Sequence, residues 1–153
     1  LVWNVGDDAI DTDQSWSGTL DNFVVIAPDD HNFELDGPEG SYEATHTIKN
    51  GLVLATDSAM GRFSSDLINV DQNSRVNLVD IYITKIAPGQ KINRVTAPAV
   101  TFTGIQLNVP AADLANYVNG AVPAGVTAGT TNKANMTAFT WTWAHKAGKL
   151  AGF

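Results

Sequence analysis

Paired carboxylic acids and one histidine are the side chains of this chain best suited to chemistry. Gly6-Asp7-Asp8 sets two acids side by side, and His31 follows in a second acidic stretch, Asp29-Asp30-His31-Asn32. Two carboxyls can divide the roles of general acid and water-activating base while a histidine orients them, so Asp7, Asp8 and His31 form a candidate hydrolytic cluster. Asp11 and Asp13, then Glu34 and Asp36, form a second set with the same alternate spacing. Carboxylates gathered in this way suit a hard cation, and Ca²⁺ takes about six to eight oxygens from such groups. The same residues serve equally as a solvated acidic face or as partners for turn amides. Trp16, in a polar turn between Gln14 and Ser17, is the aromatic residue placed to stack on a ligand.

Several chemistries are excluded or weakened. There is no cysteine, hence no disulfide, thiolate metal site or cysteine nucleophile. His46 and His145 stand singly, without H-x-x-H or H-E-x-x-H spacing, and no G-x-S-x-G, P-loop, G-x-G-x-x-G or EF-hand loop occurs. Sixteen acidic against nine basic residues give a net charge of −7, which repels phosphate backbones and makes nucleic acid a poor partner. No apolar stretch approaches the roughly 18 residues of a spanning helix.

The elements that must hold these residues are short strands. Val/Ile/Leu/Phe runs such as Asn22-Phe23-Val24-Val25-Ile26, Gly51-Leu52-Val53-Leu54 and Val79-Asp80-Ile81-Tyr82-Ile83 lie between Asp, Asn, Gly, Pro and Ser. A near-repeat organises them: Val2-Trp3 falls on Val25-Ile26 at a shift of 23 residues, and Ala9-Ile10-Asp11-Thr12-Asp13 falls on Asn32-Phe33-Glu34-Leu35-Asp36. Because a strand alternates faces, Ile10, Thr12, Phe33 and Leu35 point to a core while Asp11, Asp13, Glu34 and Asp36 point outward. Further strands within Thr47 to Ser58, Arg75 to Lys85 and Val100 to Asn108 follow at intervals of about 23 to 30 residues, the period of a solenoid. An antiparallel sandwich or jelly roll is compatible with the same strand content. Pro110 to Val118, with its leading proline, alanines and Gly120 stop, predicts one short helix.

The run from Asn4 to Gly18, followed by Asp30-His31-Asn32-Phe33-Glu34-Leu35-Asp36-Gly37, resembles Bacteroidetes-type surface proteins built as right-handed parallel β-helices. The closing Phe139-Thr140-Trp141-Thr142-Trp143-Ala144 is similar to the end of such proteins. The resemblance implies export and display on the outer surface of a bacterium, and it assigns no activity. Gly6-Asp7-Asp8 and His31 also resemble, locally, the acid pair and histidine of polygalacturonase-type β-helix glycosidases. Here Asp30 and Asn32 flank the histidine where that family has glycines, and the family's basic signature is absent apart from Arg62.

The expected molecule is therefore an all-β right-handed parallel β-helix, with coils over residues 1–108 and a short helix, loop and capping segment over 109–153. Trp141 or Trp143 is expected to be buried, sealing the open end of the core. Leu1 to Val5 already reads as a strand, so further coils are expected upstream. The expected role is a non-enzymatic cell-surface scaffold or binding module contacting polysaccharide or outer-membrane proteins, with Ca²⁺ held by Asp11, Asp13, Glu34 and Asp36. The alternative is a polysaccharide-degrading glycosidase or lyase using Asp7, Asp8 and His31.

Overall fold

The computed structural model describes residues 1–93 and 95–153. Its strands are β1 (Val2–Trp3), β2 (Asp11–Thr12), β3 (Thr19–Ile26), β4 (Glu34–Leu35), β5 (His46–Leu54), β6 (Thr56–Asp57) and β7 (Arg62–Phe63). They continue with β8 (Asn69–Val70), β9 (Arg75–Thr84), β10 (Ala99–Thr103), β11 (Ile105–Leu107) and β12 (Val126–Ala128). One sheet stacks β1, β3, β5, β9, β11 and β12, with β10 also on β9, and a second stacks β2, β4 and β8. Every pairing in both is parallel, as a β-solenoid requires. The antiparallel hairpin β6–β7 is an excursion from the coil.

The repeat read from the sequence is the register of the fold. Val2 faces Val25 and Trp3 faces Ile26, while Asp11 faces Glu34 and Thr12 faces Leu35. Later coils are longer because loops absorb the extra residues, over 36–45 and in the β6–β7 hairpin. Inside, Val25, Val53, Ile83 and Leu107 stack in successive coils. Ile10, Phe33, Leu35, Val53 and Ile81 share this interior, and Thr12 is buried beside them. Each fully buried aliphatic side chain contributes about 1.5–3 kcal/mol relative to exposure.

A corner ladder shapes each coil. Asn22, Asn50, Asp80 and Gly104 occupy equivalent places and all have positive φ, between 51° and 65°. Asn, Asp and Gly tolerate this left-handed backbone, which bends the strand and resets which residues point inward. Thus Leu20 and Phe23 both reach the core across the bend at Asn22. Gly51, the neighbour of Asn50, must also lack a side chain, because a Cβ there would sit inside the Phe23 ring.

After the bend, the apolar runs are buried on both faces. Val24, Ile26, Leu52, Leu54 and Tyr82 point away from the coil interior and form a second apolar cluster with Phe139, Ala144 and Leu150. The C-terminal segment therefore lies along the outside of the large sheet. Asn135 fixes it to the corner ladder, its N–H donating to Asn22 Oδ1 at 2.7 Å, and Lys149 pairs with Asp57 at 2.5 Å. This corrects the expectation of a tryptophan plug: Trp141 and Trp143 are 77% and 75% exposed. The segment forms a 3₁₀ turn (Met136–Phe139) and the short helix α1 (Trp143–Lys146), whose N-cap Thr142 accepts from the His145 N–H. That geometry turns Phe139 and Ala144 to the sheet and both tryptophans to solvent. The predicted helix after Pro110 forms as a 3₁₀ helix, Ala111–Tyr117.

Candidate functional site

Asp8 and His31 meet because their segments stack one coil apart. The Ala9 N–H donates to the His31 carbonyl at 3.0 Å, and the His31 N–H donates to Asp8 Oδ1 at 2.8 Å. The coil above adds Asp66: His31 Nδ1 lies 3.5 Å from Asp66 Oδ2 and 3.3 Å from Ser65 Oγ. On the other edge of the ring, Nε2 lies 3.4 Å from Asp30 Oδ1 and 3.3 Å from Asn69 Nδ2. Ser65 Oγ also donates to Asp30. Asp7 is exposed beyond this cluster.

The acidic ladder forms at β2 and β4, with a changed membership. Ligand-capable oxygens of Asp8, Asp11 and Glu34 lie within 4.8 Å of one another. Asp13 and Asp36 sit one step further along, past the ends of β2 and β4, and act on the trio as neighbouring charges. Glu34 is pushed up to about 7, first by a hydrogen bond shared with the Asp8 carboxyl, then by partial burial and the charges of Asp8, Asp36 and Asp11. Asp11 is raised from the usual carboxylate range by partial burial and by the charges of Asp13, Asp8 and Asp7. The like-charge crowding expected of stacked coils is thus present, and Asp8 is the residue that closes it.

Beneath the cluster lies a polar network that sequence patterning had not revealed. Asn32 Nδ2 donates to Ser64 Oγ at 2.7 Å, and Gln90 Nε2 donates to the Ser64 carbonyl at 2.6 Å. All three residues are buried. Each is next to or near a turn residue, so its type read as loop chemistry. Asn32 ties the backbone that presents His31 to the coil carrying Asp66, its Nδ2 donating to the Asp66 carbonyl at 2.8 Å.

Trp16 stands elsewhere, at the outer edge of the first coil. Its ring covers Gly18, where any Cβ would clash with it, and lies 4.9 Å from the His46 ring. Burial lowers the pKa of His46, favouring the neutral imidazole under that stack. Trp16 walls a recess of about 300 Å³ with Ile10, Thr12 and Leu20, and Asp11 and Asp13 form its rim. The recess therefore offers an apolar floor, an exposed indole and negative charge, while Asp7, Asp8 and His31 lie outside its lining.

Comparison with known proteins gives no match: no protein family, no curated protein and no solved structure is significantly similar to this chain.

Proposed function

We propose that this β-solenoid is a non-enzymatic binding scaffold displayed on the outside of a bacterial cell, taking uncharged polysaccharide at the Trp16 recess. The observation that carries the reading is the recess itself, an exposed indole 41% accessible over an apolar floor with an acidic rim. Sugars present apolar ring faces that stack on aromatic side chains, and an acidic rim on a chain of net charge −7 disfavours uronates and sulfated glycans. The surface location rests on the sequence resemblance alone, and labelling of intact cells with an antibody to this chain tests it.

Hydrolysis fits the geometry less well. The acids of that reading, Asp7 and Asp8, do not share one pocket: Asp7 is exposed beyond the cluster, and the Asp8 carboxyl is engaged by the His31 N–H and by Glu34, whereas a glycosidase holds its two acids facing one another across the scissile bond. Calorimetric titration with neutral oligosaccharides decides between the two. Saturable binding lost in Trp16→Ala, with no release of reducing ends, supports the scaffold; new reducing ends that vanish in Asp8→Asn support the enzyme.

One observation favours a second reading, a further β-coil as the occupant. The recess opens at the edge where, among the described residues, β1 and β2 each pair on one side only, and such edges accept added strands. Amide exchange protection of β1 and β2 that rises with protein concentration would support it over sugar binding.

A further inference from the structure

We propose that Asp8, Asp30 and His31 bind a divalent transition-metal ion of the Zn²⁺ kind, with Asp66 as the residue that orients the imidazole. The proposal is independent of the Trp16 recess. One nitrogen and two carboxylates converge here, their ligand-capable atoms within 4.8 Å of one another. That donor set differs from the all-oxygen trio of Asp8, Asp11 and Glu34, and a borderline-soft ion prefers the site with imidazole. A tetrahedral ion with bonds of about 2.0–2.1 Å needs ligand atoms about 3.4 Å apart. The nitrogen–oxygen separation between His31 Nε2 and Asp30 is already 3.4 Å, so the remaining adjustment falls to the partly exposed Asp8 side chain.

The surroundings of the ring support ligation through Nε2. A metal-bound histidine usually gives its other N–H to a carboxylate, which fixes tautomer and ring plane. Asp66 Oδ2 stands 3.5 Å from Nδ1 with Ser65 Oγ beside it, while Nε2 faces Asp30 Oδ1 at 3.4 Å and the Asn69 side-chain amide at 3.3 Å, a neutral partner that a bound ion would displace. The backbone on both sides is anchored by the Asp8–His31 N–H bond and by Asn32. The half-buried ring is accessible enough for an ion to enter, its side chain being 16% exposed.

The test uses the full chain, stripped with chelator, and Zn²⁺ alone as the probe. Calorimetry should show one saturable site, lost in His31→Gln and in Asp30→Asn but kept in Glu34→Gln. Asp66→Asn should weaken binding about 10–100-fold without abolishing it, as expected for an orienting carboxylate. Where His31→Gln fails to fold, imidazole nitrogen NMR of the unaltered chain decides. Zn²⁺ should move the His31 Nε2 resonance and leave His46 and His145 in place. Absence of saturable binding, binding unchanged in His31→Gln, or a response at His145 instead of His31 would each overturn the proposal.

Discussion

Removing Phe139 separates a tail that covers the sheet from one that plugs the coil. Phe139 is only 7% exposed and packs with Val24, Ile26, Leu52, Leu54 and Tyr82, whereas Trp143 is 75% exposed. Phe139→Ala deletes a buried ring from a cluster whose other aromatic on the tail side, among the described residues, is the partly buried Phe153. Buried Phe to Ala costs about 3–5 kcal/mol, of which transfer and the residual cavity both form part. At about 2–4 °C per kcal/mol for a chain of this size, Tm should fall by about 6–20 °C. Trp143→Ala removes an exposed ring, and Trp141→Ala removes an exposed ring with its solvent-side hydrogen bond to the Ala138 carbonyl; exposed substitutions stay within about 0.5 kcal/mol, so their Tm should shift by at most about 2 °C. Differential scanning calorimetry of the three variants at one pH and protein concentration measures this. A loss for either tryptophan variant equal to that of Phe139→Ala would mean that the indoles close the core, and the lateral packing would be refuted.

Glu34 gives a pH signature: its folded-state pKa of about 7 lies above the ordinary 4.5, so the folded chain keeps a proton that the unfolded chain has released between those values. That contribution to stability is full below about pH 4.5 and is lost as pH rises to about 7, and Glu34→Gln, melted in chelator across this range, should show a flatter profile. The Asp8–Asp11–Glu34 trio should respond to Ca²⁺ with a raised Tm, worth about 2.7 kcal/mol at 100 times Kd, that chelator reverses. Asp13→Asn and Asp36→Asn should blunt that response while leaving the chelated protein as stable or more so; coincident melts with and without Ca²⁺ would reduce the ladder to a solvated face. In the corner ladder, Asn50→Gly should be tolerated and Asn50→Val should destabilise by about 1–3 kcal/mol in urea melts, since a β-branched residue resists the left-handed φ of 59°.

The coil register was legible because the first two coils keep both the apolar and the acidic spacing, which puts Val2-Trp3 on Val25-Ile26 and Asp11 on Glu34. The second apolar cluster was hidden in the same residues. Val24 and Ile26 alternate with Val25, so a run buried on both faces looks like an ordinary core strand, and nothing in it names what covers its outer side. The corner ladder carried its signal in Asn22, Asn50, Asp80 and Gly104, all types suited to positive φ, but loops of unequal length blurred their period. Asp8 escaped assignment to the ladder for a geometric reason. Face alternation holds only along a strand, β2 is two residues long, and Asp8 reaches the trio from the turn before it. Trp16 was legible as an exposed aromatic, while its recess depends on Leu20 and on Ile10, which sequence alone assigns to the core.

Binding of uncharged saccharide at Trp16 is tested most directly by indole and methyl NMR of the intact chain during titration with neutral oligosaccharides. The Trp16 indole and the methyl groups of Ile10 and Leu20 should shift together along one saturable curve, with the indoles of Trp3, Trp141 and Trp143 unmoved. An unresponsive Trp16, or shifts confined to Trp141 and Trp143, would contradict the reading of this β-solenoid as a scaffold that binds through its first coil.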